Sequence, residues 1–371
     1  MQSLLYSFPT LFYIGIFLVS FFISVIIIPS IIHVAQKRHL YDDLGHFRKQ
    51  HDHGIPRLGG VAIFVSFTIS SLMFGMIDKS LPINYLLTSC IILFAMGLKN
   101  DLSGVNSNTK FVIQIVAASI VVLLGNIRID NLFGAFGVHE IGYLLSSLLS
   151  IILLVLIVNA FNLIDGIDGL AATTGIIVNG TFGILFICMH QYQLSAVSLC
   201  MVGAILGFLK FNLSPAKIFM GDTGAMLIGF ISGIMAFKFM ELNKLTTDSN
   251  FIFHSSPLIA LAILIGPIFD TFRVFVIRIY SGISPFTADR NHLHHRLLAL
   301  GLNHIQSTLI ISICNLICIL LVLLFQNYSA YFLITVIVLI PIFINLIVAL
   351  TIRLRSRSNT AFEKLLYKQM D

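Results

Sequence analysis

The chain has 371 residues, of which 57% are hydrophobic and only 10% are charged, and its mean hydropathy is +0.98. Soluble domains carry about 25% charged residues, so this composition excludes a soluble globular protein. The net charge of +6 does not indicate a nucleic-acid partner, because the side of the membrane on which basic residues lie matters more than their total. We predict one all-α, polytopic membrane domain over residues 1–371.

Apolar stretches follow one another along the chain, each close to the ~20 residues that a helix needs to cross a bilayer, and we expect about ten or eleven transmembrane helices. They are predicted at residues 9–35, 58–78, 81–99, 110–126, 141–161, 171–189, 194–211, 224–240, 257–277, 306–326 and 330–352. Lys and Arg concentrate in alternate connections, with 18 of the 22 on one side. The positive-inside rule makes that side cytoplasmic, with the N-terminus outside and the C-terminus inside. The basic tail, 353–371, is then an anchor to anionic lipid.

The first cytoplasmic connection, residues 37–57, is rich in Lys, Arg and His, and the chain continues as Pro56-Arg-Leu-Gly-Gly60. Such charges often anchor a helix end at lipid headgroups and need have no other role. The end of the segment combines a rigid proline, a guanidinium and glycines that permit close packing, which suits phosphate binding. Arg57 is the candidate for that role.

The second connection, residues 97–110, carries Asn100, Asp101 and Lys110. In the simplest interpretation, Asp101 and Lys110 form an interfacial ion pair, which contributes little stability and specifies no function.

The third connection reads Asn159-Ala-Phe-Asn162-Leu-Ile-Asp165-Gly-Ile-Asp168-Gly-Leu170. Its asparagines and aspartates stand three apart, a spacing that makes a slowly drifting polar stripe on a helix. The glycine after each aspartate is expected to break that helix, so that the carboxylates can approach a bulky ligand. The structural alternative is an ordinary polar helix end at the membrane interface.

The fourth connection ends in Lys217-Ile-Phe-Met-Gly-Asp222-Thr-Gly224. Asp222 lies between glycines at the start of a span, which leaves room for a metal ion with its waters or phosphates. Mg2+ is typically held by one or two carboxylates together with phosphate oxygens, so Asp222 is a candidate ligand. The alternative is a helix N-cap without a ligand.

The fifth connection reads Asp289-Arg290-Asn-His292-Leu-His294-His295-Arg296. Three histidines first suggest zinc, but the arginines among them favour an anion, so we predict a phosphate site. On a helix, His292 and His295 would share one face. Asp270, in the preceding span, is predicted to be a structural partner of a nearby arginine.

All five connections lie on the predicted cytoplasmic side, and the middles of the spans are apolar. A transporter of lipid-linked or anionic solutes would more often carry polar residues near mid-span, and it remains the alternative. The pattern favours an enzyme that takes a soluble, anionic, magnesium-bound substrate from the cytoplasm and a second substrate from the lipid bilayer.

Residues 159–170, 217–224 and 292–297 together resemble the motifs of the polyprenyl-phosphate N-acetylhexosamine-1-phosphate transferases. The first connection agrees, and the likeness extends from about residue 37 to 305 in the expected order. His292-Leu-His-His-Arg-Leu297 is similar to the histidine motif of the WecA and TagO branch, which uses UDP-GlcNAc. The MraY branch, which takes UDP-MurNAc-pentapeptide, is the alternative.

This resemblance implies that a polyprenyl phosphate, undecaprenyl phosphate in bacteria, attacks the β-phosphorus of a UDP-N-acetylhexosamine at the plasma membrane. The products would be polyprenyl-diphospho-sugar and UMP, and they would initiate an O-antigen, teichoic acid or capsule. The implied cofactor is Mg2+, with Mn2+ as an alternative, and homodimers occur in the family.

The resemblance also implies roles for individual residues, with Asp222 as the metal ligand and Asp165 as its support. The residues that it places in catalysis are Asn100, Asp101, Asp165, Asp168, His292, His294 and His295. The residues that it places in substrate binding are Lys49, Arg57, Lys110, Asn159, Asn162, Arg290 and Arg296.

Asn100 departs from the family, which usually has an Asp-Asp pair where this chain has Asn100-Asp101. Asparagine cannot act as a base. Either the lipid phosphate needs no base, because its second pKa of about 6 leaves it largely dianionic at neutral pH, or Asp101 takes over. A catalytically impaired or silent relative is the third interpretation.

Overall fold

A computed structural model describes residues 8–40, 54–75, 77–131, 133, 139–245, 253, 255–282 and 291–367, with the backbone alone at 244, 245 and 356–367. The described residues form helices and connections, with one isolated antiparallel bridge between Asn131 and Glu140 and no strand. The predicted all-α class is confirmed.

The helices are numbered here in chain order. They are α1 (Pro9–Arg38), α2 (Gly59–Phe74), α3 (Ile83–Ser103), α4 (Ser107–Ser119), α5 (Tyr143–Ile164), α6 (Leu170–Cys188), α7 (Tyr192–Asn212), α8 (Gly221–Leu245), α9 (Ser256–Tyr280), α10 (Leu293–Ala299), α11 (His304–Leu324) and α12 (Ala330–Tyr367). A π-helical turn, Ile120–Leu124, continues α4.

Ten helices in the described part of the chain are long and apolar enough to cross a membrane, and α4 counts among them together with its π-helical turn. Helix α2 is shorter, with 16 residues and a length of about 24 Å, because it ends at Phe74 rather than at the predicted residue 78. The number of predicted spans is thus confirmed, and the chain is a multi-pass membrane protein.

Helix α8 is the centre of the bundle. In the most apolar stretch of α8, 89% of the residues are buried by the rest of the protein, against 22% in the corresponding stretch of α12 at the periphery. It packs against α2, α3, α5 and α6. Small residues permit this close packing, as is usual between membrane helices: a Cβ on Gly229 would lie 2.9 Å from the Cα of Val158 on α5. The central position of α8 makes its N-terminus a fixed point for the connections around it.

The predicted apolar mid-spans are not uniformly apolar. Pro267 interrupts α9 and, lacking an N–H, leaves the carbonyl of Ile263 without its usual helical donor. The buried side chain of Asn315 on α11 donates its Nδ2 to that carbonyl at 3.3 Å. The prediction is wrong here because a proline in a helix creates a polar requirement that another helix must meet.

Candidate active site

Asp222 lies in the first turn of α8 and contacts side chains from two other helices. The Nζ of Lys110, on α4, donates to its Oδ2 at 2.7 Å, and the Nδ2 of Asn162, on α5, donates to its Oδ1 at 2.9 Å. Asp222 and Lys110 are partly exposed, at 21% and 26% of their side chains. Three separate predicted connections therefore meet at one carboxylate that a ligand can reach.

Asp101, at the end of α3, supports the first turn of α8. Its carboxylate accepts the backbone N–H of Asp222 at 2.8 Å, and it accepts both the N–H and the hydroxyl of Thr223. Helix N-termini leave such N–H groups without intrahelical partners, and a carboxylate there also interacts favourably with the helix dipole. The predicted interfacial pair of Asp101 with Lys110 is wrong, because Lys110 pairs with Asp222.

Glycines allow three backbone segments to approach one another at this point. Gly221 has φ +70, and a Cβ there would lie 2.6 Å from the Oδ2 of Asp101. A Cβ on Gly60 would lie 2.2 Å from the backbone nitrogen of Gly224. The N–H groups of Gly59 and Gly60 donate to the carbonyls of residues 219 and 220. These two backbone hydrogen bonds hold the nearby Arg57 beside the N-terminus of α8.

Asp165 caps the end of α5 and lies half-buried near the same cluster. Burial, followed by the negative charges of Asp222 and Asp101, raises the pKa of Asp165 to about 7, against the opposing positive charge of Arg57. The arrangement holds more negative charge than the neighbouring cations neutralise.

The helix break predicted at the glycines is confirmed, because α5 ends at Ile164 and Gly169, with φ +80, precedes α6. The polar stripe is therefore helical only at Asn159 and Asn162. The Nδ2 of Asn159 donates to the Oε1 of Gln114 on α4 at 2.7 Å and to the carbonyl of Val155 on its own helix at 2.8 Å, while Asn162 reaches Asp222.

Asp168 has different partners from Asp165. Its Oδ2 lies 3.2 Å from the Nδ1 of His304 and accepts the N–H of Ala216 at 3.3 Å. The hydroxyl of Thr308 donates to its backbone carbonyl at 3.4 Å. Asp168 therefore joins the third connection to the start of α11.

The three histidines are neighbours in space, with 5.7 Å between the ring centroids of His292 and His294 and 4.3 Å between those of His294 and His295. The Nδ1 of His292 lies 2.8 Å from the Oδ2 of Asp270, and the ring of His294 is buried with its Nε2 close to Gly166. Burial, followed by the positive charge of His295, lowers the pKa of His294 to about 3. The prediction that His292 and His295 share a helix face is wrong, because His292 precedes α10 as its N-cap.

Asp270 also accepts from the Nη2 of Arg273 at 2.9 Å, so the predicted arginine partner is confirmed. The guanidinium of Arg296 donates to the Oδ1 of Asn345 on α12 at 3.0 Å. Its described contacts therefore link α10 to α12. Lys49 and Arg290 lie outside the described residues.

The donor set fits a magnesium ion completed by phosphate oxygens. Among the residues that the structure describes, no group of three or more His, Cys, Asp or Glu forms a metal cage. Mg2+ does not require one, because it is usually held by one or two carboxylates, waters and substrate phosphates. Asp222 and Asp165 supply two carboxylates whose excess negative charge a divalent cation would neutralise.

Comparison with known proteins is consistent with this geometry. A family model described as Glycosyl transferase family 4 matches residues 83–240, which contain Asp101, Asp165 and Asp222. The chain is 30% identical to a Bacillus subtilis (strain 168) protein named "Probable undecaprenyl-phosphate N-acetylglucosaminyl 1-phosphate transferase", over 95% of this chain and 96% of that protein. The chain belongs to glycosyl transferase family 4.

Two further relatives of this family-4 chain match shorter parts of it. A Pasteurella multocida (strain Pm70) protein named undecaprenyl-phosphate alpha-N-acetylglucosaminyl 1-phosphate transferase is 35% identical, over 77% of this chain and 78% of its own. A Mycolicibacterium smegmatis decaprenyl-phosphate N-acetylglucosaminephosphotransferase is 31% identical, over 71% and 70%.

Two residues that bond to candidate site residues in this family-4 chain were not predicted from its sequence. Thr223 follows Asp222 and shares the carboxylate of Asp101, and its position inside the fourth motif was an available signal. His304 contacts Asp168 across 136 positions of sequence, and no local pattern indicates that contact.

Proposed function

We propose that this chain transfers N-acetylglucosamine-1-phosphate from UDP-GlcNAc to undecaprenyl phosphate, giving undecaprenyl-diphospho-GlcNAc and UMP. The observation that carries the proposal is the meeting of Asp101, Lys110, Asn162 and Asp222 at the N-terminus of α8. The names of the relatives support the sugar phosphate and the lipid acceptor.

In this reaction an oxygen of the lipid phosphate bonds to the β-phosphorus, and the bond from that phosphorus to the oxygen bridging the two phosphates breaks. UMP leaves with that oxygen, and the bond to the anomeric carbon stays intact. Two anions must meet in line, so catalysis depends on positioning and on neutralising charge. Lys110 and Arg57 are cations at the site, and Asn162 orients Asp222.

Asp222 and Asp165 would hold Mg2+, which supplies positive charge to the diphosphate when it is bound. Asp101 keeps Asp222 in place through the first turn of α8, because its two carboxylate oxygens accept three bonds from Asp222 and Thr223. Because Asp101 is engaged in these bonds, the lipid phosphate, which is largely dianionic at neutral pH, would attack without an obligatory base.

The setting of the reaction belongs to the same proposal. The basic connections and the candidate site share one side, which we infer to be the cytoplasmic side of a bacterial plasma membrane. The lipid product would then begin a cell-envelope polysaccharide.

The test is UMP release by purified, detergent-solubilised protein given undecaprenyl phosphate, UDP-GlcNAc and Mg2+. We expect release to require all three components, to stop with EDTA, and to fall by more than about 100-fold in Asp222→Ala. Ser103→Ala, whose described hydroxyl bond goes to the carbonyl of Lys99 at an exposed helix end, is the matched control.

Release with UDP-MurNAc-pentapeptide and not with UDP-GlcNAc would replace the sugar in the proposal. No release with any UDP-N-acetylhexosamine, from protein whose thermal unfolding is cooperative, would overturn the transferase and favour a catalytically silent relative.

A further inference from the structure

His304 begins α11 just outside the histidine motif, and it contacts the third connection. Its Nδ1 lies 3.2 Å from the Oδ2 of Asp168 and 3.4 Å from the backbone nitrogen of the same residue. The side chain of Asp168 is 12% exposed and that of His304 is 39% exposed. The pair thus lies at the surface where the third and fifth connections meet.

The contact holds in either tautomer of the neutral ring. When Nδ1 carries the proton it donates to the carboxylate, and when it does not it accepts the backbone N–H of Asp168. Either bond keeps the imidazole of His304 at the same place on the Asp168 residue. The geometry therefore suits a residue that holds Asp168 in place.

Further hydrogen bonds hold the backbone at Asp168 and at the residue after it. The hydroxyl of Thr308, one turn along α11, donates to the carbonyl of Asp168. The next N–H, that of Gly169, donates to the Oδ1 of Asn212 on α7 at 2.9 Å. Within the described part of the chain, each hydrogen bond to the Asp168 carboxylate uses Oδ2. The other oxygen, Oδ1, is left for a donor on a ligand.

We propose that His304 is a positioning residue for the nucleotide-sugar, which holds Asp168 so that its Oδ1 accepts a hydrogen bond from that substrate. This inference rests on the proposed function. Asp168 is only three residues from Asp165, so a shift of Asp168 also moves the connection that carries the candidate cation ligand. The lipid phosphate has no part in the contact, so its binding is expected to be independent of His304.

The experiment compares His304→Ala and His304→Asn in the UMP-release assay, with each substrate varied separately. We expect His304→Ala to raise the KM for UDP-GlcNAc about tenfold, which is the loss of one hydrogen-bonded support, with a smaller change in kcat and an unchanged KM for undecaprenyl phosphate. His304→Asn is expected to restore the KM, because its amide can donate and accept near the position of Nδ1. Gln306→Ala is the control, since it loosens the same first turn of α11 through the capping box without removing a described bond to Asp168.

A merely structural contact would change both KM values, or would lower the melting temperature of His304→Ala without a selective effect on the nucleotide-sugar, and either result overturns the proposal. If His304→Ala does not fold, His304→Leu is measured in its place. If neither folds and His304→Asn does, the contact serves folding and the proposal is overturned. An inactive wild-type protein would instead refute the proposed function, whereas an active wild type with an unchanged His304→Ala refutes only this inference.

Discussion

At the scale of single residues, the charge of Asp165 depends on the folded surroundings. Its pKa rises from 3.8 to about 7 through burial and the neighbouring carboxylates of Asp222 and Asp101. In the folded chain the carboxyl group of Asp165 stays protonated up to about pH 7, whereas in the unfolded chain it loses its proton near pH 3.8. The contribution of Asp165 to the free energy of unfolding therefore falls as the pH rises between those values.

The consequence is a pH-dependent affinity for a divalent cation, because the cation binds the ionised carboxylate. We expect the Mg2+ affinity, measured from the rise in melting temperature, to weaken up to about tenfold per pH unit below pH 7. Asp165→Asn should bind Mg2+ more weakly and lose most of this dependence. Equal affinities at about pH 6 and pH 8 in the wild type would contradict the placement of the cation at Asp165.

Gly166 is a residue where one added methyl group is expected to lower activity. A Cβ there would lie 2.2 Å from the Nε2 of the buried His294, so Gly166→Ala must displace either the ring or the connection that carries Asp165. We expect UMP release to fall at least tenfold. Gly15→Ala, whose Cβ meets nothing within 4 Å, should release UMP at the wild-type rate, and equal rates in both variants would show that the connection adapts.

Asn100 tests whether the reaction needs a base at that position. Its Oδ1 accepts the N–H of Val105 at 2.9 Å, which closes the turn after α3, and an aspartate oxygen can accept the same bond. Asn100→Asp is therefore expected to fold normally and to keep or raise the rate of UMP release. A large loss of rate at unchanged melting temperature would contradict the view that asparagine merely substitutes for aspartate here.

At the scale of elements, the N-terminus of α8 is held by a carboxylate from α3. Asp101→Asn replaces one accepting oxygen by a donor, so the bonds to Thr223 are weakened and the first turn of α8 is loosened. Losing a helix cap costs about 1 kcal/mol. We expect a small fall in melting temperature but a fall in turnover of about 100-fold or more, because Asp222 loses its position.

The comparison that isolates this effect is Thr223→Val, which removes the hydroxyl bond and keeps both N–H bonds to Asp101. It should lose less activity than Asp101→Asn. Equal losses in the two variants would indicate that the hydroxyl itself, rather than the position of the turn, is what the reaction needs.

At the scale of the whole molecule, the distribution of basic residues predicts the orientation in the membrane. A reporter enzyme that is active only in the cytoplasm should be active when fused to the C-terminus. A reporter that is active only outside the membrane should be active when inserted between α4 and α5, in residues 125–142. The opposite pattern would put the carboxylates of the candidate site on the outer side, where no cytoplasmic nucleotide-sugar reaches them.

The sequence by itself determined the membrane class, the order of the helices and the motifs that carry chemistry. The reason is that these features are local: apolar runs of about 20 residues predict spans, and glycines after Asp165 and Asp168 predict the break between α5 and α6. The resemblance to the transferase family rests on the same short motifs.

Only the tertiary structure decided which side chains meet. Lys110 bonds to Asp222 rather than to Asp101, and Asp168 bonds to His304, across 112 and 136 positions of sequence. Such partners depend on how closely helices approach, which glycines such as Gly60 and Gly224 set through contacts between distant segments. Spacing along one helix carries no information about these contacts, because the partner lies on another helix.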